Sequence, residues 1–249
     1  DILADSTGVA NEYKVIENSA QTFADNINEF SGMIGERQVG CPLVVHRRCI
    51  EPMFSISNMI SYDNRMFNKT HKKEDYLKQE QPFLIKKSGW INVEGTENGS
   101  KDHFVKNQAE RVCQLLENAL HIYTNLYETD DKIFIITPFR TVAESMRKFV
   151  IGYFSVKGYD KEMLTKWTKN CVGTVHTFQG KDANEVLFVL GCSDKSVGAM
   201  NWVVKKANIL NVACTRAKYR IAFIGNLNDW KNRRYFREFI PKFIDAIDA

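Results

Sequence analysis

Short runs of apolar residues, interleaved with segments of helical spacing, constrain this chain more than any other feature. Lys132 to Thr137 (KIFIIT), Val172 to Val175, Glu185 to Leu190 (EVLFVL) and Tyr219 to Ile224 (YRIAFI) each have the length of a strand. A strand that is apolar on both faces needs a sheet covered on both sides, and such sheets are parallel. Asn107 and Glu110 read as a cap and its return partner, opening a helix whose apolar face holds Val112, Leu115, Leu116 and Ala119. Pro138 ends the KIFIIT strand, a second helix runs from about Arg140 to Ile151, and a third from Val203 to Ala217. Strands alternating with amphipathic helices make an α/β domain: a mainly parallel sheet with helices on both faces.

The flanks are less regular. Residues 1–40 read as mainly helical, with Ser19 capping a helix that carries Phe23, Ile27 and Phe30, and Gly32 or Gly35 ending it. Leu43-Val44-Val45 after Pro42 reads as a buried strand, and Phe83-Leu84-Ile85 and Trp90 to Val93 read as short strands. The polar stretch 62–82 reads as a solvated connection, and Gly95 to Ser100 as a turn or mobile loop. Beyond Leu227, a helical stripe of Trp230, Phe236, Phe239, Ile240 and Phe243, kinked at Pro241, reads as packing rather than as a groove.

Charge is unevenly spread. Residues 1–40 hold seven acids and two bases and residues 41–249 hold 23 acids and 32 bases, so the net +4 divides into −5 and +9. A basic body suits a polyanionic partner. The six cysteines (Cys41, Cys49, Cys113, Cys171, Cys192, Cys214) show no CxxC spacing, which speaks against a zinc or disulfide framework and for the reducing cytoplasm. No apolar run is long enough for a transmembrane helix, and Asp1 to Ala10 lacks the pattern of a secretory signal. The chain starts without Met and in mid-pattern, as a piece of a longer protein would.

Parallel α/β sheets place functional loops at the carboxyl ends of their strands. Three segments are candidates: Thr137-Pro138-Phe139-Arg140, the loop Thr174 to Asp182 (TVHTFQGKD), and Asn211 to Lys218 (NVACTRAK). Gly180 lets the backbone approach a phosphate closely, and its amide can donate to a phosphate oxygen. Arg216 has no acid at i−4 or i−3 to satisfy it locally, which leaves its planar fork for an anion. Read singly, a Gln-Gly turn is a turn and a lone arginine is a surface or interdomain arginine.

Their order changes that balance. IFIITPF, GTVHTFQGKDANEVLFVLG and NILNVACTRAKYRIAFIGN resemble motifs IV, V and VI of the C-terminal motor domain of superfamily 1 helicases, Upf-type group. LVVHRRCIEPMFSISNMISYDNRM resembles the motif IIIa region, and the likeness spans roughly residues 43–226. It implies a RecA-like (P-loop NTPase-like) fold and two arginine fingers, Arg216 and Arg48, acting on the γ-phosphate of ATP. Gly180 would offer its amide there, with Gln179, Lys181 and Asp182 coupling the nucleotide to the strand. Thr137, Pro138, Thr174 and His176 would face single-stranded DNA or RNA through phosphate and sugar. The chain departs from the pattern in places. His46 or Arg47 stands where the family has an adenine-stacking Tyr, so Arg47 would stack in its place. Asp182 replaces a Glu, one extra residue separates Arg48 from Pro52, and Ala207-Asn208-Ile209 replaces an arginine pair.

What is absent from the sequence matters equally. ATP hydrolysis needs a G-x-x-x-x-G-K-[ST] loop and an acidic pair for Mg²⁺. Here Gly173 and Gly180-Lys181 are separated by six residues rather than four and followed by Asp182, and EVLFVL leads into Gly-Cys-Ser-Asp. The resemblance therefore implies that ATP and Mg²⁺ are held mainly by an N-terminal RecA-like domain of the same protein. Residues 1–42 would be a helical link from that domain, and residues 43–249 the second RecA-like domain, inactive alone. The alternative is a non-catalytic RecA-like module that docks nucleic acid or protein. A P-loop kinase does not fit a chain without the loop.

Overall fold

The apolar runs pair in parallel. In the computed structural model, which describes residues 20–34, 37–40, 43–70, 83–97, 99, 102–120, 126–130, 132–178 and 180–242, five strands form one sheet: β5 (Gly89–Asn92), β6 (Ile133–Thr137), β7 (Val172–Thr174), β8 (Ala183–Val189) and β9 (Ala217–Gly225). Their spatial order is β5-β9-β8-β6-β7, every pairing parallel. The central strand β8 is buried from Glu185 through Val189, so both faces are covered, as its unbroken apolar run requires.

Helices pack around the sheet in two groups: α3 (Lys106–Ala119), α4 (Arg140–Ser155) and α5 (Lys161–Cys171), and α2 (Met53–Ser61) against α7 (Asn208–Arg216). The apolar face expected of α3 is buried, Val112, Leu116 and Ala119 completely. Its start differs from the sequence reading. Val105 occupies the cap position without a side-chain bond, while Asn107 sits inside the helix and its amide donates to the Glu94 carbonyl, 3.0 Å. The helix α5 was not foreseen. Its start carries a readable signal, because the Asp160 side chain accepts from the Met163 amide at 2.7 Å.

Other expectations are corrected. Phe83-Leu84-Ile85 is not a strand. The Leu84 and Ile85 amides donate instead to the two carboxylate oxygens of buried Glu185, each at 2.7 Å, and Arg220 lies over the Phe83 ring and donates to the Ile85 carbonyl. The helix expected over Val203 to Ala217 is two, α6 (Val197–Val203) and α7, broken at residues 204–207. Leu43-Val44-Val45 is not a buried strand: β3 is Val45–His46, pairing in parallel with β4 (Phe67–Asn68) inside the stretch read as a connection, and Leu43 is 90% exposed. Near the start, α1 (Ala20–Asn26) buries nothing, Ile27 and Phe30 are exposed, and Gly32 opens β1 (Gly32–Ile34), paired antiparallel with β2 (Arg37–Val39), rather than ending a helix. Within 83–97, the bridge Glu97 to Val105 ties down the loop after β5.

Past β9 the apolar stripe folds as two short turns, α8 (Leu227–Trp230) and α9 (Phe236–Phe239), separated where Tyr235 adopts φ of 69°. Trp230, Phe236 and Phe239 are fully buried, so packing is indeed their role. Ser19, Gly35, Cys41, Pro42, residues 71–82, Gln179 and Phe243 lie outside the described residues. Among those described, no helix is long and apolar enough to cross a membrane.

Burial pushes the Glu185 carboxyl up to about 7, against its two amide donors and Arg220. An acid raised in the folded state binds more protons there than in the unfolded chain. The stability it confers is complete below about 4.5 and is lost as pH rises through about 7. Unfolding free energies from denaturant titrations between pH 5 and pH 8 should fall more steeply for the parent than for Glu185→Gln, by a difference on the order of 1–3 kcal/mol. Parallel pH curves for the two would show that burial does not hold this carboxyl protonated.

Candidate functional site

A tight turn presents the two consecutive arginines. His46 is buried at the end of β3, where its Nε2 accepts the Cys49 amide at 3.0 Å and lies 3.1 Å from the Cys49 thiol, and its ring tilts against Phe54 at 5.1 Å. With positions 46 and 49 pinned, Arg47 and Arg48 stand on the outside of the turn, exposed. The turn is held near the sheet by the Ile50 amide donating to the Lys218 carbonyl, 3.1 Å, and by the Ser57 hydroxyl donating to Asn211 between α2 and α7.

Opposite stands Arg216, the last residue of α7. It is 6% exposed; its Nη1 donates to the carbonyls of Lys181 (2.7 Å) and Phe178 (3.2 Å), clasping the turn before β8. Its Nε is buried without a hydrogen-bond partner, a donor in search of an acceptor. Burial, and then the positive charge of Arg48, hold the Arg216 guanidinium below its ordinary value, while Asp182 acts the other way. Arg47, Arg48, Asp182 and Arg216 line a single cleft of about 760 Å³, within the ~300–1,000 Å³ common for small-molecule sites. Guanidinium groups that repel each other and an orphaned donor fit a polyphosphate better than a neutral ligand.

Gly180 and Lys181 line an adjoining depression that shares Asp182 with the main cleft. Gly180 has φ of 86° with nothing within 4 Å of where a Cβ would stand, so its backbone is open to an approaching group. Lys218, which the sequence reading passed over, holds Asp182 at 2.8 Å. A lysine directly after the T-R-A run could have been read as its partner.

The candidate residues do not all gather at one end of the sheet. Arg216 precedes β9 and Asp182 precedes β8, so the cleft lies at the amino ends of these strands, not at carboxyl ends as expected for all three segments. Thr137 and Thr174 face each other in the register between β6 and β7, at the carboxyl ends. Residues 175–178 leave the carboxyl end of β7 and residues 180–182 lead into the amino end of β8, levels a strand's length apart, on the order of 20 Å at ~3.3 Å per residue. Thr137 is 1% exposed and its Oγ1 lies 3.5 Å from the Phe139 amide, within the core rather than on the surface. Pro138, Thr174 and His176 line a groove together with Phe139, Arg140 and Trp202.

One cluster has metal-ligand chemistry among the described residues: Glu97, His103 and Cys192 bring one ligand atom each within 4.8 Å of the others. No sequence spacing announces it. Both Glu97 oxygens already accept, from the Ser193 amide and the Ser196 hydroxyl at 2.8 Å each, and burial pushes the Cys192 thiol up to about 12. The cluster ties the loop after β5 to the loop after β8.

A parallel five-stranded sheet wrapped by helices is the architecture of a RecA-like α/β domain. The chain belongs to the AAA domain family, whose model matches residues 29–228. It is also similar to an uncharacterized ATP-dependent helicase of Methanocaldococcus jannaschii, 26% identical over 214 residues, a match covering 80% of this chain and 28% of that protein. The chain thus spans little more than a quarter of that relative's length.

Proposed function

We propose that this chain is the second, C-terminal RecA-like half of an ATP-dependent superfamily 1 helicase or translocase of the Upf type. The observation that carries the proposal is the meeting of Arg48 and Arg216 in one cleft, the latter with a buried, unused donor. Two guanidiniums at one point stabilise charge that builds on a terminal phosphate during transfer. Membership of the AAA domain family, and likeness to a protein named an ATP-dependent helicase, support a helicase-type domain.

In this reading ATP supplies the phosphoryl group and the energy of its hydrolysis, and this chain's residues act on its far end. Arg48 and Arg216 stabilise the γ-phosphate, Gly180 offers its amide with Gln179 beside it, and Arg47 stacks on the adenine. Lys181 and Asp182 close the segment that comes from the nucleic-acid side into β8. Mg²⁺ falls to the partner half, because both acids of the cleft are engaged, Asp182 by Lys218 and Asp25 by the Gly40 amide and Gln21. Residues 1–42 serve as the link to that half and residues 43–249 as the motor domain. Single-stranded DNA or RNA lies along Pro138, Thr174 and His176, with buried Thr137 shaping the strand end beneath it.

ATP hydrolysis should be negligible for the 249-residue chain alone. Joined to a RecA-like half that carries the Walker loop, it should become measurable and rise with single-stranded DNA or RNA. Turnover by the isolated chain, or a joined protein stimulated by neither strand, would overturn the proposal. A docking platform would bind nucleic acid in the same assay without hydrolysis under any condition.

A further inference from the structure

The chain has four tryptophans, and three are sealed in the core: Trp90 and Trp230 at 0% exposure and Trp167 at 2%. Trp202 is different. It lies in α6, after the carboxyl end of β8, and is 50% exposed. A half-exposed indole forgoes much of the ~1.5–3 kcal/mol that burying a large apolar side chain provides, and it sits in the groove that also holds Pro138, Thr174 and His176.

The back of the indole is fixed. Its ring tilts against Phe139 at 5.8 Å and 36°, and Phe139 in turn tilts against His103 at 4.8 Å and 48°. His103 is held by the Ser196 hydroxyl at 3.1 Å, which itself donates to buried Glu97. Each ring rests on the next and the last rests on a hydrogen-bonded network, so little ordering remains to be done when a planar group arrives. Arg140 in the groove is paired with Glu144 at 2.9 Å, but Arg147 shares the groove, and with the exposed Lys205 and Lys206 just past α6 the surroundings keep a net positive character suited to a phosphodiester strand.

We infer that Trp202 is a stacking platform for one unpaired base of a single-stranded nucleic acid. The inference rests on the proposed function and adds to it a contact with bases, beside the contacts with phosphate and sugar. Stacking tolerates any sequence because every base has a π face, as a translocating protein needs. The aromatic ladder also touches the loops after β5, β6 and β8, so strand binding is felt at several sheet ends at once.

The test uses the intrinsic emission of the 249-residue chain, in which Trp202 is the exposed reporter. A short oligothymidylate is titrated beside an abasic phosphodiester of the same length, for the parent, Trp202→Ala and Trp202→Phe. Expected in the parent is quenching by the oligothymidylate and none by the abasic chain; read by the anisotropy of an end-labelled strand, binding of the base-bearing oligomer is weakened about tenfold in Trp202→Ala and mostly kept in Trp202→Phe. Equal affinity for the two oligomers without quenching would overturn the stacking role while leaving the nucleic-acid reading intact. Binding of neither oligomer would overturn both, and would leave the exposed indole to a protein partner.

Discussion

Arg216→Ala should lower kcat on the order of 10³-fold in the protein that carries a nucleotide-cradling half, the magnitude seen for arginine fingers. If the guanidinium meets charge that develops only in the transition state, KM for ATP should change much less than kcat. Arg216 also clasps the Phe178 and Lys181 carbonyls, so a loss of turnover could come from a displaced turn. Arg216→Lys separates the two causes. Lysine keeps the charge but not the planar fork, so turnover should stay low while the thermal midpoint returns toward that of the parent. Arg48→Ala is a cleaner probe, since Arg48 is exposed, and it should depress kcat without a stability cost. Unchanged turnover in Arg216→Ala would remove the phosphate role.

The strands were readable because burial on both faces leaves its mark as contiguous apolar residues. Ile133–Thr137 and Ala183–Val189 lie within a residue or two of where KIFIIT and EVLFVL place them. Phe83-Leu84-Ile85 carries the same mark and is no strand, since its amides are taken up by Glu185 from a hundred residues further on. No local pattern reports a partner that distant. The helix break at residues 204–207 was hidden for a related reason: Val203 and Leu210 are both buried, and one helical face drawn through them looks continuous.

The cleft was less legible than its residues. Arg48 and Arg216 were named because their surroundings resemble known motifs, while nothing in either segment says they meet. Their meeting depends on α2 docking against α7 and on the turn that His46 pins. Trp202 was missed because an aromatic within V-G-A-M-N-W-V-V reads as one more core residue. The Asn201 before it and the Lys205-Lys206 pair after it were the available signs that this stretch reaches the surface.

Phe223→Ala should cost about 3–5 kcal/mol, the range for deleting a fully buried phenylalanine side chain. Phe223 lies in β9 at 0% exposure, stacked on Trp90 of β5 at 6.0 Å and 3°, edge-on to Phe188 of β8 at 5.6 Å, and tilted against Phe239 at 5.2 Å. Removing the ring opens a void bounded by three strands' worth of packing and by the closing turns after β9. The surrounding rings are themselves locked, so collapse can recover little of the lost contact. A urea midpoint lower by on the order of 1 M would report it, and Phe223→Leu, which fills most of the space, should lose about 1–2 kcal/mol. Trp202→Ala provides the contrast: a residue of the same class, half exposed and packed on one face only, should cost about 1–2 kcal/mol, well below the loss in Phe223→Ala. A loss below about 1 kcal/mol in Phe223→Ala would mean the aromatic cluster relaxes around the gap.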